Sequence, residues 1–286
     1  MSYWDSLQHH TVLDDLWLSH PRVRERINIR VSGEPGTWTT TWLKNRLQPL
    51  LPLERTVSIG CGVGNLERDL IRQGIASQVT GVDVSEPCIQ KAVELAREAG
   101  FTSQITYECR DAHEWLREAS DLAAVFFHGS LHHLDHLDEL MRLARRSLRP
   151  GGFLFLDEYV GRSRDEWRFR DLLLHNVVYY LLPKSVRRVR RIPAPINHYD
   201  PTEAIRSSQI ERAVAAHFDV LERRDYGGNL LSVIYGHLWR PSQGSDPADF
   251  EKAVAFLLAV EDFLLRHPRL TRSRSYCTVI LAQPRA

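Results

Sequence analysis

The chain has 286 residues, of which 43% are hydrophobic and 26% are charged, and its formal net charge is +1 at pH 7. These values are ordinary for a globular protein and exclude a mainly disordered or collagen-like chain. The balanced charge predicts no general attraction to nucleic acid. The longest apolar runs, such as residues 253–260, are much shorter than the ~20 residues of a membrane-spanning helix, so we expect no membrane span.

The sequence begins MSYWDSLQHH, which lacks the basic segment and apolar core of a secretory signal, so we expect a cytoplasmic protein. The four cysteines include no Cys-x-x-Cys pair. Their scatter argues against a zinc knuckle and against a disulfide framework.

Residues 1–50 are rich in tryptophan and show no strand alternation. The tryptophans are Trp4, Trp17, Trp38 and Trp42, and a Gly-Glu-Pro-Gly break follows residue 32. We expect an N-terminal helical segment that covers the active site. Residues 51–286 would then form the main domain.

Short apolar strands alternate with amphipathic helices between residues 54 and 160. The predicted strands are 56–59, 79–82, 105–107, 122–127 and 153–156. Ser85 and Asp135 are predicted to cap two of the intervening helices. This alternation predicts an α/β fold built on a doubly wound parallel sheet.

The regular alternation ends after residue 160. Three further helices are predicted, from the Ser163/Glu166 capping box to about Leu182, from Asp200-Pro201-Thr202-Glu203, and from Asp246-Pro247 to about Arg266. Two more strands are predicted at 218–221 and 276–281. We expect the segments at about 162–200 and 227–272 to form helical lid insertions.

A glycine-rich loop follows the first predicted strand. Its glycines are Gly60, Gly62 and Gly64, and Asp83 ends the second strand 23 residues after the first of them. Such a loop lets a cofactor approach the backbone at a helix N-terminus, and the carboxylate can accept both ribose hydroxyls. On this basis alone, NAD and other nucleoside cofactors both fit.

Four motifs in order separate these alternatives. The glycine spacing Gly-x-Gly-x-Gly, the segment Cys109-Arg110-Asp111-Ala112, the segment Leu148-Arg149-Pro150-Gly151-Gly152 and the final strand resemble class I S-adenosylmethionine-dependent methyltransferases. In a dinucleotide fingerprint the third glycine would stand where Asn65 is, which disfavours a nicotinamide oxidoreductase.

The resemblance implies a Rossmann-like seven-stranded sheet whose last strand is antiparallel, with S-adenosyl-L-methionine as cofactor. It also implies a set of cofactor-binding residues. These are Gly60, Gly62, Gly64, Asp83, Val84, Asp111, Ala112 and His128.

In this topology an acceptor lies beyond the carboxyl ends of strands four and five. Glu158, which closes strand five, is our first candidate for a general base, and His132 is the second. Each has a structural alternative, as a hydrogen-bond acceptor and as a helix-capping or packing residue. The four histidines between residues 128 and 136 invite a metal interpretation, but relatives that resemble residues 131–134 use none, so we expect no metal.

We therefore expect a methyltransferase that modifies a hydroxyl of a small molecule or of a linked glycan. The alternatives are a small-amine N-methyltransferase and a non-catalytic S-adenosylmethionine-binding protein. No Asn/Asp-Pro-Pro-Tyr/Phe segment follows strand four, which disfavours a nucleic-acid methyltransferase.

Two features of the predicted lid stay open. The residues Trp167, Phe169, Tyr179, Tyr180 and Trp239 either line an apolar pocket or form the core of the lid. Arg187, Arg188, Arg190 and Arg191 either meet an anionic substrate or belong to a solvated loop.

Overall fold

The protein folds around one seven-stranded sheet in the computed structural model, which describes residues 16–271 and 273–285. The strands are β1 Thr56–Ile59, β2 Val79–Asp83, β3 Ile105–Cys109, β4 Leu122–His128, β5 Leu148–Tyr159, β6 Phe218–Gly227 and β7 Cys277–Pro284. Their order is β3-β2-β1-β4-β5-β7-β6. Neighbours among β1 to β5 are parallel, and β7 runs antiparallel to both β5 and β6. The predicted Rossmann-like sheet with an antiparallel last strand is confirmed.

Helices cover both faces of the sheet. They are α1 Pro21–Ser32, α2 Thr39–Leu47, α3 Asn65–Arg72, α4 Glu86–Glu98, α5 Ala112–Glu118, α6 Leu137–Ser147, α7 Leu173–Tyr180, α8 Ile210–His217, α9 Leu231–Ile234, α10 Pro247–Arg266 and α11 Pro268–Thr271. One apolar core joins α1 to α4, α7, α9 and α10 to one face, and a second joins α5, α6 and α8 to the other. The result is a three-layer α/β arrangement.

The N-terminal segment packs on the first of these faces. Trp17, Val23 and Trp42 belong to its apolar core. The Thr40 hydroxyl donates to Asp69 of α3 at 2.6 Å, and His20 contacts Glu251 of α10 at 3.0 Å. Trp4 lies outside the described residues, and the prediction that residues 1–50 cover the active site stays a prediction.

Several predicted boundaries match the structure closely. β1 spans the four predicted residues, and α10 begins after its Asp246 cap and ends at Arg266. β6 is longer than expected. Among the described residues, no helix has the length and apolarity needed to cross a bilayer.

Two predicted helix starts are wrong because other groups hold the capping side chains. Asp135 accepts the backbone N–H of His136 and pairs with Arg206, so α6 begins only at Leu137. Asp200 accepts both the backbone N–H and the hydroxyl of Thr202, which closes a tight turn. The next α-helix after that turn is α8, which begins at residue 210.

The helix predicted from Ser163 to Leu182 is interrupted. The capping box forms, with Glu166 accepting the Ser163 backbone N–H at 2.9 Å, but it opens only a short 3₁₀ turn. Glu166 and Ser163 also bond to Ser208, which fixes the turn to the start of the next segment. Asp171 then accepts the Arg168 backbone N–H, and α7 begins two residues later.

A buried carboxylate joins α10 to the loop after β6. Glu261 is 3% exposed and accepts the backbone N–H groups of Leu230 at 2.9 Å and Leu231 at 3.2 Å. Burial raises the pKa of Glu261. The same loop brings Gly228 against Trp17 and Cys277, so Glu261 helps connect the N-terminal segment, α10 and the sheet.

We predict that Glu261→Ala lowers the free energy of unfolding by about 2–3 kcal/mol, because two buried N–H groups lose their acceptor. Denaturant unfolding measures this change. Lys252→Ala, at an exposed position of the same helix, serves as the control and should change stability little. Equal stability of the two variants would contradict this role for Glu261.

Candidate functional site

The loop between β1 and α3 is held open by Asp83 at the end of β2. One Asp83 oxygen accepts the Gly62 backbone N–H at 2.8 Å, and the other accepts the Ser85 backbone N–H at 2.9 Å. Ser85 in turn caps α4. The carboxylate therefore fixes the loop relative to the neighbouring strand before any ligand binds.

Two loop glycines allow close packing that a side chain would prevent. A Cβ at Gly60 would lie 2.5 Å from the Ser130 Cβ, and a Cβ at Gly64 would collide with the Tyr107 hydroxyl. Both glycines have positive φ, 68° and 76°. The loop can take this course only with glycine at these positions.

A cavity of about 430 Å³ opens at the carboxyl edge of β1, β2 and β4. It is lined by seven of the predicted cofactor residues, namely Gly60, Gly62, Asp83, Val84, Asp111, Ala112 and His128. Gly64 is not in the lining and acts instead as the N-cap residue of α3. Asp111 caps α5, accepting the backbone N–H groups of His113 and Glu114.

Two titratable groups are buried at this loop. Burial raises the pKa of the Cys61 thiol well above its ordinary range, which keeps the thiol neutral and unreactive. Glu67, in the first turn of α3, is fully buried. Burial raises its pKa to about 7, and the nearby Ser58 hydroxyl offsets only part of that shift.

A second buried carboxylate organises the loop after β4. Glu158 is 1% exposed, and its Oε1 accepts the backbone N–H groups of Ser130 and Leu131, each at 2.7 Å. Its Oε2 lies 2.8 Å from His132 Nδ1. Glu158 and His132, chosen separately from the sequence, are thus in direct contact.

The His132 ring lies among acidic groups. Burial lowers its pKa, but the hydrogen bond to Glu158 and the charges of Glu158, Glu203 and Asp200 outweigh burial and raise the pKa overall. With Nδ1 bonded to Glu158, His132 Nε2 faces Glu203, whose Oε1 is 3.8 Å away.

The loop before α8 contributes two carboxylates that the sequence analysis assigned to a helix start. Asp200 is 1% exposed, and its Oδ2 lies 3.4 Å from His133 Nδ1. Burial lowers the pKa of His133 to about 2, so its ring is neutral. His132, His133 and Glu203 each offer a ligand atom within 4.8 Å of the others, an arrangement that could hold a metal ion.

A separate polar chain closes the other side of the β4 and β5 ends. The Tyr226 hydroxyl donates to Asp157 Oδ1 at 2.7 Å, and Asp157 Oδ2 lies 3.6 Å from His128 Nε2. Sequence reasoning expected one of Asp157 and Glu158 to face the pocket and the other to face away. Both are buried, on opposite faces of β5 and with different partners.

The chain is similar to methyltransferases. A family model described as a methyltransferase domain matches residues 57–152. The 27-O-demethylrifamycin SV methyltransferase of Amycolatopsis mediterranei (strain S699) is 35% identical over 144 residues, which cover 46% of this chain and 52% of that protein. The chain spans about half the length of the curated relatives it matches.

Solved structures share the fold. The geranyl diphosphate C-methyltransferase of Streptomyces coelicolor A3(2), solved with Mg²⁺, geranyl diphosphate and S-adenosyl-L-homocysteine, has a TM-score of 0.52 at 18% identity, covering 98% of this chain and 94% of that one. The cyclase SpnF has a TM-score of 0.50 at 18% identity, covering 94% and 96%. Since both identities are low, these structures establish the fold and not the reaction.

We predict a stability change that tracks the titration of Glu67. Its pKa in the folded chain, about 7, exceeds the ordinary value of 4.5. The folded state therefore binds more protons than the unfolded state between these values, and stability falls as pH rises from about 4.5 to 7. Glu67→Gln should remove about 2–3 kcal/mol of this fall.

Chemical denaturation of the ligand-free protein across this pH range measures the effect. Glu98→Gln, at an exposed position near the end of α4, is the matched control and should keep the wild-type slope. A Glu67→Gln protein with the wild-type slope would show that Glu67 does not titrate in this range.

Proposed function

Given that the chain belongs to the class I S-adenosylmethionine-dependent methyltransferases, we propose that it transfers a methyl group to a hydroxyl oxygen of a small molecule or of a glycan linked to one. The observation that carries oxygen as the acceptor is the buried Glu158–His132 pair. Hydroxyls have high pKa values and benefit from a base, whereas an amine that is neutral at the working pH needs none. The similarity to a rifamycin O-methyltransferase agrees with this choice.

The cavity suits the nucleoside part of the cofactor. Asp83 offers its carboxylate to the ribose hydroxyls, and the glycines let the ligand approach the backbone of the loop. Val84, Asp111 and Ala112 would border the adenine, and His128 would lie near the sulfonium end. Bound S-adenosylmethionine supplies an electrophilic methyl group with a neutral leaving group.

We assign the proton acceptor to His132 rather than to Glu158. Both Glu158 oxygens are already engaged by Ser130, Leu131 and His132 within the core. His132 Nε2 points away from Glu158 and toward the partly exposed Glu203. Glu158 is therefore a positioning residue that fixes the ring tautomer and stabilises the imidazolium.

The proposed step moves one proton and one methyl group. The acceptor hydroxyl gives its proton to His132 Nε2 as its oxygen forms a bond to the methyl carbon. The carbon–sulfur bond breaks, and its electron pair stays on sulfur as a neutral thioether. Glu203, beside the same nitrogen, can accept a hydrogen bond from the imidazolium that forms.

We predict that Asp83→Ala weakens S-adenosylmethionine binding by about 1.5–3 kcal/mol, roughly 10- to 150-fold, because charge-assisted hydrogen bonds are lost. Isothermal titration measures the affinity, and a parallel melting curve separates this loss from unfolding. Asp138→Ala, an exposed acid on α6, should bind normally. Unchanged affinity in Asp83→Ala, or binding of NAD in place of S-adenosylmethionine, would refute the assignment.

We predict that the pH dependence of methyl transfer follows His132. Only the neutral ring accepts a proton, so kcat/KM for the acceptor should fall as pH drops below a pKa that Glu158 holds above the ordinary 6.5. His132→Ala should lower turnover by about 10²–10⁴-fold. Glu158→Gln should lower it less and shift the acid limb to lower pH, because the raising charge is gone.

Three outcomes would revise this proposal. An acid limb that does not move in Glu158→Gln, together with a loss as large as in His132→Ala, would return the base role to Glu158. Turnover only with amine acceptors, insensitive to both changes, would indicate N-methylation. Activity lost on chelation and restored by one divalent metal would show that His132, His133 and Glu203 hold a metal.

A further inference from the structure

Helix α7 presents a stripe of large apolar side chains to solvent. Leu173, Val177 and Leu181 are 52%, 59% and 67% exposed and follow one another at spacings of four residues. Tyr180 and Phe169 extend the stripe at 51% and 62% exposure. The opposite face of α7 is buried, with Val178 and Tyr179 in the core. Exposed apolar groups in such a continuous set indicate a contact surface rather than chance exposure.

A basic segment lies against this stripe. The Arg191 guanidinium carbon is 4.6 Å from the Phe169 ring centroid, and that of Arg187 is 5.6 Å from the Tyr180 ring centroid. The segment is fixed to α7 by backbone hydrogen bonds, including Ile192 N–H to Asn176 Oδ1 at 2.9 Å. The apolar and basic groups therefore form one structural unit.

The charge of this unit is strongly one-sided. Residues 168–191 contain seven basic side chains and one acidic side chain, Asp171, which pairs with Arg162. The whole chain, in contrast, has a net charge of only +1. Within the described residues, Lys184, Arg188 and Arg190 are exposed and have no recorded ion pair with an acidic side chain.

We propose that the α7 surface, defined by residues 169–181 and the basic segment 184–191, docks onto an anionic lipid bilayer. An apolar helix face with aromatic residues and a rim of arginines is the combination that binds at the lipid headgroup boundary. The apolar side chains would enter the interface, and the guanidinium groups would meet phosphates. A second copy of the chain fits poorly, because pairing two such surfaces would bring two basic segments together.

The proposal does not depend on the reaction that the protein catalyses. It requires adsorption of one face to a membrane surface and no spanning helix. It also accounts for the arginine cluster, for which the fold shows no acidic partner among the described residues.

Co-sedimentation of the full chain with vesicles tests the proposal. One set contains phosphatidylcholine alone, and the other contains roughly one third phosphatidylglycerol. We expect at least roughly tenfold tighter binding to the anionic vesicles at about 0.1 M salt and a marked loss at about 1 M, where exposed charges are screened.

Two variants separate the components of the surface. Leu173→Ser combined with Leu181→Ser removes apolar contact, and Arg188→Glu combined with Arg190→Glu reverses charge. Each should reduce binding to anionic vesicles at least roughly tenfold without changing the melting temperature, since all four side chains are exposed. Phe263→Ser and Arg142→Glu, exposed on α10 and α6, are the matched controls and should bind like the wild type.

Several results would overturn the proposal. One is the absence of binding to anionic vesicles, and another is binding that neither double variant reduces. A dimer in light scattering that the leucine variant dissociates, without vesicle binding, would identify the surface as a self-interface. Vesicle binding that appears only after removal of residues 1–15 would show that the chain covers this surface itself.

Discussion

The site depends on one buried carboxylate whose bonds all point in different directions. Glu158 is placed by β5 in the core of the protein, where an unpaired charge would be very costly. Two backbone N–H groups and one imidazole satisfy it, and all three come from the loop that follows β4. The position of His132 is therefore determined by the electrostatic requirement of Glu158, and the loop cannot relax without exposing that requirement.

The surroundings of His132 show why its proton affinity differs from that of His133. The two rings are adjacent, with centroids 4.2 Å apart, yet burial dominates one and carboxylates dominate the other. A positive charge on either ring disfavours a charge on its neighbour, so only one of the pair can serve as a proton store. The bonded contact with Glu158 decides that His132 is the one.

Much of the fold was predictable because it rests on local patterns. The strands of the parallel sheet are short apolar runs between glycine or acidic residues, and α10 has a capping aspartate followed by proline. The lid was less predictable, because Ser163, Glu166 and Asp135 bond to residues distant in sequence. The glycine loop and Asp83 were visible as a motif. The contact between Glu158 and His132 was not, since β5 and the loop after β4 meet only through the sheet, and Glu203 reaches them from about 70 residues further along the chain.

The position of β7 has a consequence for how the protein is made. It lies between β5 and β6, although it follows both in the chain. Until residues 277–284 have left the ribosome, β5 has a partner on one side only, and its free edge carries the acidic pair that organises the site. Sheet closure thus waits for a late strand separated from β6 by about 50 residues, a long-range step of the kind that slows folding. During that interval the nascent chain would present an apolar strand edge open to pairing with other chains, and recruitment of a chaperone would be most useful at this stage.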